Sequence, residues 1–488
     1  MLRRRQTEGL LLDYDVAVVG SGFSAIAVSV HLLRSLPPSA TIAVVGDDPA
    51  FGRGTAYRTE FHLHRLNVPA GRMSVFPDEP DHFLNWLERQ GRGISRDEFA
   101  SRGDYGLYLR DTLAPLLRDR HARPKLDFIR AKATGCVRSQ DDGLLFQLAD
   151  GESLHARAVA LCLGVGTADL PLREERIADA ARRRLVRNPW RLKWLSKVKP
   201  EDTICILGSG LTMIDQVLTL RARGHRGVIH VLSRRGLVPH AHAVHHGTAV
   251  LPDLPDDPLT ISGILKALRA QVRAGAEWRS VMDGLRPRTQ ALWQRLSPPE
   301  RSRFLRHALA WWNIHRHRVA PPVFEQFDAL RRDGSVKVHA GFLRDIGIDG
   351  NRPCLAYRPR GLQDVVSLPV DWVVNCTGME RAGIGHSPLL VEMADQGIIV
   401  PDRLGLGLRV DEMSRAIGAG GGARSGLFAV GALTAGQFWE ITAVPDIRVQ
   451  AQTVAGAIIA DTALVKAQAA RRKANVLPMS EVETSPIR

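Results

Sequence analysis

Cysteine is scarce in this chain of 488 residues, and the five it has are an odd number. Cys136, Cys162, Cys205, Cys354 and Cys376 stand far apart and mostly within apolar runs, so they read as small buried residues and not as a disulfide framework. No Cys-x-x-Cys occurs, which removes the dithiol relay of a disulfide reductase. No apolar run is long enough to span a bilayer. The opening Met1-Leu2-Arg3-Arg4-Arg5 is basic, but only Leu10-Leu11-Leu12 follows before Asp13 and Asp15. No signal peptide is read there, and a cytoplasmic protein without membrane contact is expected. Acidic residues are in deficit: 51 Asp and Glu against 66 Lys and Arg leave a formal charge of +15. Such a charge suits an anionic substrate or cofactors and also nucleic acid, but the surplus is mostly arginine spread along the chain, so it reads as a solvated basic surface and nucleic acid is not expected. His240, His242, His245 and His246 lie close together, yet no cysteine or carboxylate stands among them at ligand spacing, so no metal is expected.

What the chain does have is a glycine turn, twice. Asp15-Val16-Ala17-Val18-Val19 runs into Gly20-Ser21-Gly22-Phe23-Ser24-Ala25, and an apolar stretch of helical spacing follows to Leu36 before Pro37-Pro38. Strand, tight turn and helix in that order form a dinucleotide cradle. Gly20 makes the turn, Gly22 lets the backbone approach a pyrophosphate, and Ala25 keeps the helix close to the strand. The helix N-terminus then faces the anion. Thr41 to Val45 reads as the next strand, with Asp47 at its end to hold a ribose hydroxyl pair.

The pattern returns at Thr203-Ile204-Cys205-Ile206-Leu207-Gly208-Ser209-Gly210, with a helix to Arg223 closed by Gly224 and a strand from Val228 to Leu232. At the end of that strand stands Ser233-Arg234-Arg235-Gly236. Arginine there accommodates a 2′-phosphate that a carboxylate would repel, so the second turn reads as an NADPH site, NADH being the lesser choice, and the first as the site of a nucleotide lacking that phosphate.

Between these units, Gly52-Arg53-Gly54-Thr55-Ala56-Tyr57 and Leu66 to Ser74 form a long ordered loop, the kind that carries function. Asp81 to Gln90 and Tyr105 to Leu117 read as helices, and Leu126 to Leu163 as a β-meander divided by Asp142-Gly143 and Asp150-Gly151 and ending at Gly164-Val165-Gly166. Leu259 to Phe327 is helical and rich in tryptophan, and it ends in Asn313-Ile314-His315-Arg316-His317-Arg318. A second meander spans Val336 to Leu368. The strand Trp372 to Gly378 then matches Ala158 to Gly164 in the first half. Leu427 to Ala432 is a buried strand leading into glycine, and a helix follows to about Thr462.

These segments resemble a family of bacterial FAD/NAD(P)-binding proteins related to the flavin-dependent N-hydroxylating and Baeyer–Villiger monooxygenases. The match rests on Gly20 to Ser24, Gly52-Arg53-Gly54 with Ala56-Tyr57, Leu66 to Ala70 with Met73-Ser74, Ser233 to Gly236, Arg316-His317-Arg318, and Trp439-Glu440 through Arg448. Gly46 stands where the family usually has glutamate, and Asp47 takes its place one residue on. The resemblance implies an α/β fold of two Rossmann-like dinucleotide-binding domains with β-meanders, the NADPH domain inserted in the FAD domain, plus a helical segment. The division expected is FAD domain 13–199, NADPH domain 200–370 with the helical insertion at about 255–330, FAD domain again 371–465, and a tail 466–488.

It also implies FAD on Gly20, Ser21, Gly22, Phe23 and Ser24 with Asp47, a cover over the flavin around Asn67, and Gly431, Trp439 and Glu440 near its ring at the start of the last helix. NADPH lies on Gly208, Ser209, Gly210, Ser233, Arg234 and Arg235. NADPH then reduces the flavin, and O₂ hydroxylates a small polar or anionic substrate, with urate as the leading expectation. Amino-acid or amine N-hydroxylation, an NAD(P)H oxidase or reductase without hydroxylation, and an FAD protein acting on tRNA are the alternatives. No acid or base is assigned.

Overall fold

A computed structural model describes residues 11–475 other than 49–50, 52, 60, 141–142, 165, 167, 244–246 and 379–382, and no side chain at 55 or beyond 461. Gly52, Asp142, Val165, His245, His246 and most of the expected tail thus lie outside the described residues.

Strand β1 (Leu11–Val19), helix α1 (Phe23–Ser35) and strand β2 (Thr41–Val45) form the first unit, with β1 and β2 parallel and Val19 opposite Val45. α1 is apolar nearly all round because it is buried nearly all round. Helices α2 (Gly54–Tyr57), α3 (His82–Arg89) and α4 (Arg102–Arg118) lead to strand β3 (Lys125–Ile129). The expected meander begins too early: β3 pairs in parallel with β2, because the intervening helices return the chain to the same end of the sheet. Only β4 (Ala133–Arg138), β5 (Leu144–Leu148) and β6 (Ser153–Leu161) run antiparallel to one another, and β6 also lies parallel to β1, Leu161 beside Val19.

A second sheet repeats the scheme. It takes in β7 (Leu185–Val186), β8 (Ile204–Leu207) and, after helix α5 (Leu211–Ala222), β9 (Ile229–Ser233). A helical segment follows: α6 (Ile261–Arg273), α7 (Trp278–Leu285), α8 (Thr289–Arg295), α9 (Pro298–Arg303), α10 (Leu309–Arg316) and α11 (Pro321–Arg332). The meander β10 (Val336–Asp349), β11 (Arg352–Pro359) and β12 (Val366–Pro369) precedes β13 (Trp372–Asn375), and the order across the sheet is β12-β11-β10-β9-β8-β13-β7. Strands from Leu185 to Asn375 therefore belong to this sheet, so the expected divisions at 199/200 and 370/371 miss β7, too short to leave a pattern, and β13, whose buried run pairs with β8.

The chain then returns to the first sheet through α12 (Pro388–Asp395), β14 (Arg415–Ile417) and β15 (Ala423–Ala429), with β15 parallel to β6. The last helix, α13, runs from Val444 to Asn475 and packs against α1. Two expectations shift here. α13 begins at Val444, with Pro445 in its first turn where a missing N–H costs nothing, and it continues past the boundary drawn at 465. No helix among the described residues is long and apolar enough to cross a membrane.

Polar contacts among the described residues join the halves. Arg102 pairs with Asp215 of α5 at 3.0 Å, His64 Nε2 lies 2.8 Å from Thr219 Oγ1, and His242 Nε2–H donates to the Asn67 carbonyl at 3.0 Å. The helical segment, threaded between strands of the second sheet, packs on the first: the Trp293 indole stacks on Trp439 at 4.5 Å, and its N–H donates to the Gly436 carbonyl at 2.9 Å.

Candidate functional site

The two glycine turns are built alike down to the atom that enforces them. Gly20 has φ +135° and Gly208 φ +97°. A Cβ on either would be driven into a carbonyl oxygen, that of Cys162 above Gly20 and that of Cys376 above Gly208. The same two cysteines close the sheet beside the turns: Cys162 N–H donates to Val19 and Cys376 N–H to Leu207, both at 2.7 Å. Burial pushes both thiols up, as it does those of Cys136 and Cys205, which are raised to about 12, so these four cysteines are inert packing groups.

The second glycine of each turn has a different role. Gly22 and Gly210 stand at the starts of α1 and α5, no side chain caps either helix, and a Cβ at either position would meet nothing within 4 Å. Open space above an uncapped helix N-terminus is what a pyrophosphate requires. Gly54, at φ +52°, closes on the first turn, its Cβ direction 3.2 Å from the Gly22 Cα. The residues present therefore fit a dinucleotide at each turn.

The strand ends differ. Gly20 N–H donates to Val45 and Gly208 N–H to Leu232, which makes Gly46 equivalent to Ser233, Asp47 to Arg234 and Asp48 to Arg235. Ser21 fills the space in which a side chain on Gly46 would stand, whereas Ser209 Oγ donates to Ser233 Oγ at 2.9 Å and Ser233 Oγ accepts from the Gly236 N–H. Asp47 and Arg234 are both exposed, and Arg235 is half-buried. Among the described residues no carboxylate pairs with either arginine.

Gly431, at φ +77°, lies against the first turn, with Ser24 Oγ where its Cβ would be. Gln450 of α13 fixes it, accepting the Gly431 N–H at 2.8 Å and donating to Thr434 and Ser414. Asn67 is half-buried in the loop from Leu66 to Ser74, which Arg448 of α13 holds through the Ser74 carbonyl at 2.9 Å. Trp439 packs in the helical segment between Trp293 and Phe304.

Glu440 connects the two groups. Its backbone is left-handed, φ +65°, a conformation that costs a non-glycine residue about 1 kcal/mol. Its buried carboxylate accepts the Trp312 indole N–H at 2.6 Å, pairs with Arg316 at 2.9 Å and lies 3.4 Å from His317 Nε2. Desolvation holds His317 below its ordinary pKa, and Glu440 opposes that shift while Arg316 and Arg286 add to it. Arg318, the next residue, is buried and paired with Asp283.

Two more charged residues belong here: Arg286, which left no signal in the sequence, and Asp446, which lies within the matching stretch from Trp439 to Arg448 but was given no role. Desolvation, then the charges of Arg316 and Arg72, push Arg286 down to about 10. Desolvation holds the Asp446 carboxyl above its usual range against the pull of Arg286 and Arg316. Arg286 sits in a helical segment full of arginines, so spacing could not single it out. Of the histidines between 240 and 246, His240 packs on Trp278 and His315, and His242 on Phe99. Among the described residues no group of three or more His, Cys, Asp or Glu is placed to hold a metal.

Comparison with known proteins agrees with this geometry. Residues 17–166 match a family model described as FAD-NAD(P)-binding. An uncharacterised protein of Mycobacterium tuberculosis is 24% identical over 280 residues, which are 53% of this chain and 51% of that protein. The chain spans about half the length of the curated relatives it matches. Solved structures share the fold over nearly the whole chain. The ornithine N-hydroxylase of Kutzneria sp. 744 superposes with TM-score 0.65 at 14% identity, covering 94% of this chain and all of that one. The L-lysine 6-monooxygenase of Pseudomonas syringae gives 0.61 at 17%, covering 93% and 99%. The cadaverine monooxygenase of Erwinia amylovora, solved with FAD, gives 0.62 at 14%, covering 91% and 94%.

Proposed function

We propose that this protein is an FAD-dependent, NADPH-consuming monooxygenase that hydroxylates the nitrogen of a small amine or amino acid. The observation that carries the reading is the pair of uncapped, side-chain-free glycine turns at Gly22 and Gly210, one in each sheet and ending on opposite charges at Asp47 and Arg234. The fold around them is that of proteins named as ornithine, lysine and cadaverine hydroxylases. Urate, the first expectation from sequence, gives way to an amine because no protein of that activity stands among these neighbours while three amine hydroxylases do.

In this reading Gly20 to Ser24 and Gly54 hold FAD, whose bound ring supplies the redox and oxygen chemistry. Arg234 and Arg235 select the 2′-phosphate of NADPH. The loop from Leu66 to Ser74, pinned by Arg448, shields the reacting ring from water, and Gln450 keeps Gly431 beside Ser24. Glu440 fixes Arg316 and His317 at the mouth of the site, and His317, kept neutral by burial, can hold a proton at a ring nitrogen. Purified protein should be yellow. It should consume NADPH faster with at least one member of a panel of ornithine, lysine, cadaverine, putrescine and urate, with hydroxylamine product forming in step. Peroxide without hydroxylamine would reduce the reading to an oxidase, and a colourless protein that takes up no FAD would end it.

A further inference from the structure

Four separate elements bring charges within electrostatic reach of one another, and one of these charges, Arg316, touches Glu440. Arg72 comes from the loop after Asn67, Arg286 from the single turn between α7 and α8, Arg316 from the end of α10, and Asp446 from the first turn of α13. The surplus is positive, and it is uncompensated within the protein. Arg316 is taken by Glu440 at 2.9 Å. Arg286 is half-buried, and among the described residues its guanidinium has neither an ion pair nor a hydrogen bond. Asp446, also half-buried, is near enough for its charge to act on Arg286, yet the two form no ion pair. Arg72 is exposed and likewise unpaired.

A half-withdrawn guanidinium with two like charges nearby is costly to keep. Planar, with five donors, it is shaped to receive an oxyanion on two of them at once. We propose that Arg286 is the receptor for a carboxylate on the substrate, with Arg72 and Arg316 adding to its field, so that the enzyme acts on amino acids and not on bare diamines. This rests on the function proposed above and narrows its substrate class. The uncapped helix starts at Gly22 and Gly210 already meet the needs of the nucleotide phosphates, so Arg286 is not required for them.

Calorimetric titration of the purified, FAD-supplemented protein tests the inference without turnover. The probes are L-ornithine and L-lysine against putrescine and cadaverine, glutarate against glutaramide, and inorganic phosphate. The carboxylates should bind at least about tenfold more tightly than their carboxylate-free partners, and Arg286→Gln should abolish that preference while Arg286→Lys keeps part of it. Melting temperature and flavin content should match the wild type in both variants. Equal affinity of each pair in the wild type, or an unchanged preference in Arg286→Gln, overturns the proposal. So does phosphate binding more tightly than any carboxylate, which would assign the arginine to a phosphate. A lowered flavin midpoint potential in Arg286→Gln with carboxylate affinity intact would assign it to the reduced flavin, and also overturns it. Hydroxylamine formation is read separately: its absence alongside a carboxylate preference that depends on Arg286 sinks the proposed reaction and leaves the anion site standing.

Discussion

The first and second glycine turns share a backbone and differ in what they present. Gly20 and Gly208 sit under the carbonyls of Cys162 and Cys376 in the same way, and Gly22 and Gly210 open on the same empty space. Past the matching residues Val45 and Leu232 the likeness stops, and two positions on Asp47 stands on one side and Arg234 on the other. Steric demand fixes the turn, since every dinucleotide has a pyrophosphate. Charge at the strand end separates one dinucleotide from another. The helices diverge as well: eleven positions beyond the first glycine stands buried His31 in α1, and the same distance beyond the second stands Thr219 of α5, which lies against His64.

Breaking the shared part should have the largest effect. Gly20→Ala and Gly208→Ala each force a carbonyl aside and strain a positive φ, and each should lower unfolding free energy by about 3–5 kcal/mol in denaturant titrations. A loss under about 1 kcal/mol at either site would mean the carbonyl above it yields.

His31 makes the two helices respond differently to acid, since α5 carries Thr219 at the matching position. Burial lowers its pKa to about 4 from an ordinary 6.5, so the folded state holds it neutral while the unfolded chain takes up the proton first. Its contribution is whole above pH 6.5 and is lost as pH falls towards 4, on the order of 3 kcal/mol. His31→Leu should flatten the stability profile by that amount across this window, and parallel profiles would show that the proton is accommodated.

The open glycines should separate the two nucleotides. Gly22→Val should cost FAD about a hundredfold in affinity, on the order of 2.7 kcal/mol, and Gly210→Val should do the same to NADPH while flavin stays bound. Flavin loss from Gly210→Val would merge two sites that this comparison keeps apart. The smallest effect belongs to the strand end: Arg234→Ala with Arg235→Ala should raise the KM for NADPH about tenfold and that for NADH less than twofold. Equal changes for both would remove the 2′-phosphate argument.

Both turns, the tandem sheets and the helical segment were legible in the sequence because each rests on local chemistry: an apolar run, glycine where a side chain cannot fit, and helical spacing. The offset between Asp47 and Arg234, 27 and 26 positions after their glycines, closes once strand register is counted in place of residues. Less legible was anything set by pairing across distance. β3 reads as part of a meander until its partner β2 is known, and β7 is two residues long. The packing of Trp439 was equally hidden, because the aromatic rings that meet it, Trp293 and Phe304, come from about 140 residues earlier. Arg286 and Asp446 are ordinary in sequence, and only folding brings them within electrostatic reach of each other.

The helical segment belongs by chain order to one sheet and by contact to the other. Trp293 grips Gly436 and Trp439, and Trp312 and Arg316 hold Glu440, while on another face Arg102 and Asp215 join the sheets directly. A swing of one half about the other would have to strip an aromatic stack and a buried carboxylate of their partners in the same movement. For the transfer proposed above, the separation of the two turns is thereby set during folding.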